Sequence, residues 1–263
     1  MLLPNYQSNI STLYHGNCLE VLPHLADNSI DMVLCDLPFG TTYAAWDKEI
    51  PADQLWSQYN RLIRGNGAII LHASQPFTSA LVSSNPGMFR CEWIWNKESA
   101  ANFANANKQP LKQHESILVF GKGQTPYYPI KVPGRINHKQ GSAAKACDRD
   151  TMLIRERAAD DTSGMKFPKS ILQFPRHSSA CKNHPTEKPV PLLEYLIRTY
   201  SKEGNTILDN AMGSGSTGIA CINTERCFIG IEMNDKYYAV AENRVRSALA
   251  PPDLGPLFSG SAA

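Results

Sequence analysis

Two short stretches carry residue types and spacings able to do chemistry on a nucleotide. The first is Asn210-Ala211-Met212-Gly213-Ser214-Gly215-Ser216-Thr217-Gly218, which follows the apolar run Thr206-Ile207-Leu208-Asp209. Glycines at 213, 215 and 218 satisfy G-x-G-x-x-G, a tight strand-to-helix turn whose backbone can approach a ligand closely. A second run, Phe228 to Ile231, ends in Glu232, 19 residues past Gly213. A carboxylate at that strand end can accept hydrogen bonds from ribose hydroxyls, so the pair predicts an adenosine-type nucleotide site. The other stretch is Asp36-Leu37-Pro38-Phe39, at the end of the run Ile30 to Cys35. A carboxylate, a proline that fixes the turn and an aromatic ring beside it suit a planar ring bearing an amine. Asp36 would accept from the amine, a turn carbonyl would take its second hydrogen and Phe39 would stack on the ring.

These loops need a scaffold. Seven strand-like runs, Thr12 to His15, Ile30 to Cys35, Ala68 to His72, Cys91 to Asn96, Ser116 to Phe120, Thr206 to Asp209 and Cys227 to Ile231, are mostly too apolar for half-exposed strands. Helical periodicity appears at Leu55, Trp56, Tyr59, Leu62 and Ile63, again at Leu192, Leu193, Leu196, Ile197 and Tyr200, and at Tyr238, Ala241, Val245, Ala248 and Leu249. Alternating strands and helices predict an α/β fold with a parallel sheet, in which ligands sit beyond the carboxyl ends of the strands. Only 50 residues follow Gly213. The nucleotide-binding unit therefore comes last, and the sheet is expected to be circularly permuted, an order uncommon in dehydrogenases.

From 122 to 182 periodicity dissolves into Gly, Pro, Ser, Lys and Arg with isolated aromatics, including Tyr127, Tyr128, Phe167 and Phe174. Sixty such residues are too many for a plain connector and read as an insert. Lys122 to Lys188 hold 13 Lys or Arg against 6 Asp or Glu, a local +7 in a chain of net charge +2. A basic insert in an otherwise acidic body is the footprint expected for a polyanion partner. The expected division is 1–121 and 183–250 as two halves of one domain, 122–182 as the insert and 251–263 as a flexible tail.

Composition narrows the class. With 263 residues, 42% hydrophobic and 19% charged, the chain is long enough for one sizeable core, and a mean hydropathy of -0.32 suits a globular protein. No apolar stretch approaches the roughly 20 residues that span a bilayer, and the start Met1-Leu2-Leu3-Pro4-Asn5 has no signal-peptide character. A soluble cytoplasmic chain without a membrane role is expected. Seven cysteines with no C-x-x-C pair predict free thiols. His177, Cys181 and His184 cluster without a fourth partner in sequence, so no metal is expected.

At these residues the chain resembles the amino-methylating DNA methyltransferases, which move a methyl group from S-adenosylmethionine to the exocyclic nitrogen of adenine or cytosine. Asp36-Leu37-Pro38-Phe39 matches their catalytic signature, with Leu37 where Pro is commoner and Phe39 where Tyr is commoner. Asp209 through Thr217 match the cofactor loop, Glu232 the ribose-binding acid, and His184-Pro185-Thr186-Glu187-Lys188-Pro189 the element that packs near the methionine moiety. Gly16-Asn17 stands where the family usually has Gly-Asp. The motif order is that of the β group, with the insert as target-recognition region. The resemblance implies a Rossmann-like methyltransferase fold with a mostly parallel seven-stranded sheet. It implies catalytic roles for Asp36, Leu37, Pro38 and Phe39. Cofactor contacts are implied at Asn17, Thr186, Lys188, Asp209, Met212, Gly213, Ser214, Gly215, Ser216, Thr217 and Glu232.

Double-stranded DNA is the partner implied, with Lys131, Arg135 and Lys139 of the insert on phosphates; Asn102, Asn105, Asn107 and Lys108 form either a substrate contact or a polar loop. A homodimer, a cognate restriction endonuclease and a bacterial or phage source are family-based expectations. Adenine is favoured over cytosine because position 36 is Asp, whereas many cytosine-amino enzymes of the family carry Ser there; cytosine-N4 transfer is the alternative. A nicotinamide-dependent oxidoreductase and a non-catalytic nucleic-acid-binding protein are the competing classes. Methylation at ring carbon 5 and zinc deamination are disfavoured, because the sequence has neither a Pro-Cys pair nor the H-x-E and P-C-x-x-C patterns.

Overall fold

In the parallel part of the sheet the strands are apolar on both sides, so each must be covered by helices on two faces. The computed structural model describes residues 2–40, 49–134, 164–176 and 187–250. In chain order the elements are β1 (Tyr6–Gln7), β2 (Ser11–His15), α1 (Cys18–Val21), β3 (Ile30–Cys35), α2 (Ala52–Leu62), β4 (Ile63–Ala73), α3 (Phe77–Ser84), β5 (Phe89–Ala101) and β6 (Lys112–Phe120). There follow β7 (Val132–Pro133), β8 (Met165–Lys166), β9 (Ile171–Gln173), α4 (Val190–Tyr200), β10 (Thr206–Asp209), α5 (Ser216–Asn223), β11 (Cys227–Glu232) and α6 (Asp235–Leu249). The main sheet runs β1-β2-β11-β10-β3-β4-β6-β5-β9.

The seven expected strands make up its continuous centre, and two short strands, β1 and β9, extend its edges. Neighbours from β2 through β11, β10 and β3 to β4 are all parallel. β6 alone in this central group is reversed, pairing antiparallel with both β4 and β5. The last two strands of the chain, β10 and β11, lie between β2 and β3. That placement is the permuted order expected from the late glycine loop.

Alternate residues of each strand feed opposite faces. Met32, Leu34, Ile70, Ile117, Val119 and Ile207 pack with Leu192, Leu196, Ile197, Ala241 and Val245 of α4 and α6. Val33, Cys35, Ile69, Leu71, Leu118 and Leu208 pack with Leu55, Tyr59, Leu62 and Leu81 of α2 and α3. The result is a three-layer α/β/α arrangement. Helix α6 starts at an Asn234 cap whose side chain accepts from the amides of Lys236 and Tyr237, with Asp235 in the first turn, both favourable at a helix N-terminus.

Two compact units are present, one made of residues 1–128 and 170–263 and the other of Pro129–Lys169. The smaller unit is narrower than the insert expected at 122–182, because both ends of that stretch are tied to the larger one. Tyr128 donates its amide to Thr199 O at 2.8 Å. Trp95 Nε1 donates to Phe174 O at 2.7 Å, and β9 pairs with β5. Within the smaller unit β7 and β8 pair antiparallel, and Lys131 lies over the ring of Phe167 at 5.0 Å. Among the described residues no helix is long and apolar enough to cross a membrane. The described cysteines are free, and no cluster with metal-ligand character occurs among described residues.

Candidate active site at the carboxyl edge of the sheet

Strand β3 pairs directly with β10, Met32 opposite Ile207 and Val33 opposite Leu208. The Asp36 turn and the glycine loop therefore leave from the ends of adjacent parallel strands, although 177 residues separate Asp36 from Gly213 in the chain. Strand β11 lies on the other side of β10, and its terminal Glu232 pairs with His15 of β2. All three loops open on one edge.

The glycine loop is braced from within. Asp209 is buried, its Oδ1 accepting from the amide of Ala211 at 3.2 Å and its Oδ2 from Thr217 Oγ1 at 2.6 Å. Burial pushes its carboxyl up to about 6 despite those bonds. Asn210 accepts from Tyr59 of α2 at 2.6 Å. Gly213 and Gly215 have φ of 53° and 79°, in the region that favours glycine. A Cβ on Gly215 would also come within 3.1 Å of the Ala241 backbone.

Glu232 is the loop's outward acceptor. Its Oε2 accepts from the amide of Gly213 at 2.9 Å and its Oε1 from that of Asn234 at 2.8 Å, which leaves lone-pair capacity on both oxygens. Burial raises its pKa against these backbone bonds. Gly16 donates its amide to Glu232 O at 2.9 Å, and this brings Asn17 to the same mouth. The Asn17 side chain caps α1 by accepting from the Leu19 amide. This cradle fits a ribose.

The start of α5 is already occupied by a carboxylate. Glu187 Oε1 accepts from Ser216 Oγ at 2.9 Å and pairs with Arg244 Nη2 at 2.9 Å. Arg244 also donates to Ser214 O at 2.8 Å. A pyrophosphate, which needs this helix terminus, would meet the buried Glu187 carboxylate there, so the donor set disfavours a dinucleotide. The expected contacts thus divide. Gly213, Glu232 and Asn17 line the mouth, whereas Asp209, Ser214, Ser216 and Thr217 hold the loop's shape and Met212 packs into the core. Thr186, Arg135 and Lys139 lie outside the described residues.

At the other loop Leu37 is buried in the core, and Phe39 packs on Phe77 at 5.1 Å between ring centroids. The Asp36 side chain keeps 24% of its surface exposed. Its Oδ2 accepts from Lys188 Nζ at 2.5 Å. Its Oδ1 is buried and has no hydrogen-bond partner among the described residues. Lys188, expected as a cofactor contact, thus meets a carboxylate of the chain itself.

Sequence reasoning passed over the surroundings of this pair. Glu115 Oε2 lies 3.4 Å from Lys188 Nζ, and Glu115 Oε1 bonds Lys97. His72, 1% exposed, has no hydrogen-bond partner on either ring nitrogen among the described residues. Burial raises the Asp36 carboxyl, opposed by Lys188 and reinforced by Glu115. For Glu115 burial works against the charge, yet Lys188 and Lys97 hold its pKa down to about 2. For Lys188 burial is outweighed by Asp36 and Glu115, which keep the ammonium above its ordinary value. Burial, then Lys188, against Glu115, lowers His72 to about 3, so it is neutral. The signal for Lys97 and Glu115 was a charge at the end of an otherwise apolar strand. Its meaning depended on β6 running backwards, which puts Glu115 opposite Trp95 at the carboxyl edge.

A family model described as DNA methylase matches residues 30–243. The chain is 26% identical to the DNA adenine methyltransferase YhdJ of Escherichia coli (strain K12), over 91% of this chain and 84% of that protein. It is 25% identical to the type II methyltransferase M.HpaI of Haemophilus parainfluenzae, over 88% of this chain and 73% of that one. Among solved structures the M1.HpyAVI-SAM complex aligns with a TM-score of 0.60 at 22% identity, over 89% of this chain and all (100%) of the other. PvuII DNA methyltransferase (cytosine-N4-specific) aligns with a TM-score of 0.66 at 17% identity, over 96% and 91% of the two chains. At those identities the structural likeness is one of fold.

Two outcomes follow from the geometry. Gly215→Ala forces a side chain into the left-handed region against the Ala241 backbone, at a cost of about 1–3 kcal/mol. Chemical denaturation should show that loss, and calorimetry should show weaker binding of the expected cofactor. The second concerns His72, whose folded pKa of about 3 lies below its ordinary 6.5. Between those values the unfolded chain binds more protons, so the contribution of neutral His72 is complete above pH 6.5 and is lost as pH falls toward 3. Denaturation midpoints measured against pH should fall less steeply below pH 6.5 in His72→Gln than in the parent.

Proposed function

The chain belongs to the DNA methylase family, and from that premise we propose that it is an adenine-specific DNA methyltransferase, moving a methyl group from S-adenosylmethionine to the exocyclic amine of a flipped-out adenine. The observation that carries this reading is the Asp36 Oδ1 oxygen, a buried acceptor without a partner among the described residues, in the turn after the strand that pairs with the one feeding the glycine loop.

The cofactor supplies, when bound, an electrophilic methyl on a positively charged sulfur. Glu232 would hold its ribose, with the glycine loop and Asn17 around the nucleoside. The remaining work falls on the nucleophile. An exocyclic amine shares its lone pair with the ring and is a weak nucleophile. Asp36 Oδ1 accepts one amine hydrogen, favours a tetrahedral nitrogen and offsets the positive charge that develops there. Lys188 fixes the carboxylate through Oδ2, so the free oxygen is held in one direction. The same carboxylate, raised by burial, is placed to take the proton the methylated amine must lose. Phe39, held by Phe77, would replace stacking lost when the base leaves the duplex.

Adenine is favoured over cytosine by the carboxylate at position 36 and by the relative named as a DNA adenine methyltransferase. The likeness to a cytosine-N4-specific structure makes cytosine-N4 transfer the second reading. Incubation with duplex DNA and S-adenosylmethionine, followed by digestion and nucleoside mass analysis, should yield N6-methyladenine; N4-methylcytosine would replace the adenine reading, and unmethylated DNA would end both. Asp36→Ala should abolish transfer and leave cofactor binding largely intact, as read by calorimetry beside the activity assay.

We further propose that the insert contacts DNA phosphates through Lys131, Arg135 and Lys139. Neutralising all three should flatten the dependence of DNA affinity on salt, by a slope of roughly 1 per lost phosphate contact. An unchanged slope would put the DNA elsewhere.

A further inference from the structure

Glu115 belongs to none of the motifs, yet it is the second carboxylate on the cation that holds Asp36. Lys188 Nζ sits 2.5 Å from Asp36 Oδ2 and 3.4 Å from Glu115 Oε2. Glu115 Oε1 is bonded by Lys97. The charged groups around Lys188 are Asp36 after β3, Lys97 on β5 and Glu115 on β6, with neutral His72 on β4 and with Arg176, after β9, acting on Lys97. Lys188 also lies immediately before Pro189, the N-cap of α4, where the helix dipole disfavours a cation. Two carboxylates and two ammoniums thus share a largely buried space.

A Glu115 that served the fold alone would need only Lys97 to cancel its charge. Its second oxygen instead faces Lys188 at 3.4 Å and has no hydrogen-bond partner among the described residues. We infer, on the methyl-transfer reading above, that Glu115 is a positioning residue: it draws part of the Lys188 ammonium away from Asp36, so that Asp36 Oδ1 stays a strongly negative acceptor for the amine. If Lys188 turned wholly to Asp36, the tight ion pair would neutralise the oxygen that must offset positive charge on the nitrogen. If Lys188 turned wholly to Glu115, Asp36 would lose the contact that fixes its direction.

The test reads Asp36 in the protein by itself and then in turnover. The carboxyl carbon of Asp36 is titrated by carbon-13 nuclear magnetic resonance and assigned by its absence in Asp36→Asn. Glu115→Gln should move the Asp36 titration to lower pH, because a like charge is gone and Lys188 falls entirely to Asp36. Lys97→Gln should move it to higher pH, because a cation is gone and Glu115 takes more of Lys188. With DNA, Glu115→Gln should lower kcat by roughly tenfold or more with KM for DNA and S-adenosylmethionine unchanged, and Glu115→Asp should recover part of the loss.

Identical Asp36 titrations in all three proteins, or shifts of the same sign in both variants, would overturn the inference. Should Glu115→Gln fail to fold, Lys97→Gln decides by itself: an upward shift supports the assignment and an unchanged titration refutes it. If the parent titrates as stated but methylates no DNA, the functional reading fails while the electrostatic role of Glu115 stands.

Discussion

The parallel pairing of β3 with β10 is the constraint on which the rest depends. Side chains at the ends of two hydrogen-bonded parallel strands lie a few ångströms apart whatever the length of chain between them. The permutation that inserts β10 and β11 between β2 and β3 turns a separation of 177 residues into strand neighbours. Any register in which β10 paired elsewhere would leave Asp36 and the glycine loop on separate parts of the sheet edge. The apolar alternation that buries Met32 and Leu34 on one face and Val33 and Cys35 on the other pins that register. A one-residue slip would exchange the faces of every side chain.

The second constraint is electrostatic. Asp36, Glu115, Lys188 and Lys97 gather where burial opposes every one of their charges. Such a group is tolerable only because its members neutralise one another, and removing any one leaves an uncompensated charge. His72 resolves the same conflict by giving up its proton. Among the described residues the Oδ1 of Asp36 is a buried acceptor without a donor, and the ring nitrogens of His72 and the Oε2 of Glu115 likewise lack a hydrogen-bond partner. Unsatisfied buried acceptors are costly and uncommon, and that of Asp36 belongs to the loop whose composition suited an amine.

The sequence made the scaffold legible because its signals are local. Seven apolar runs marked seven strands, and the distance of Glu232 from Gly213 marked a carboxylate that the structure brings onto the glycine loop. What escaped was direction and partnership. Nothing in Ser116 to Phe120 says that β6 runs against its neighbours, and without that Glu115 looks like the solvated end of a strand. Lys188 was legible as part of a motif, but its partner, Asp36, is 152 residues away. Thr217 and Asp209 carry the family's cofactor pattern, yet they spend their hydrogen bonds on each other. Motif membership alone could not separate residues that face a ligand from those that shape the loop.

One covalent link joins the two constraints. Glu187 is fastened to the glycine loop through Ser216 and to α6 through Arg244, and the next residue, Lys188, is fastened to Asp36. With both side chains held at about 3 Å or less, the peptide between them cannot shift toward the loop without pulling on the carboxylate. The glycine loop and the Asp36 carboxylate are thus tied through adjacent residues rather than through a distant pathway. That coupling needs a rigid start to α4. Pro189 as the N-cap and Pro191 at the second helical position supply it, because each fixes its own φ and neither requires an amide partner.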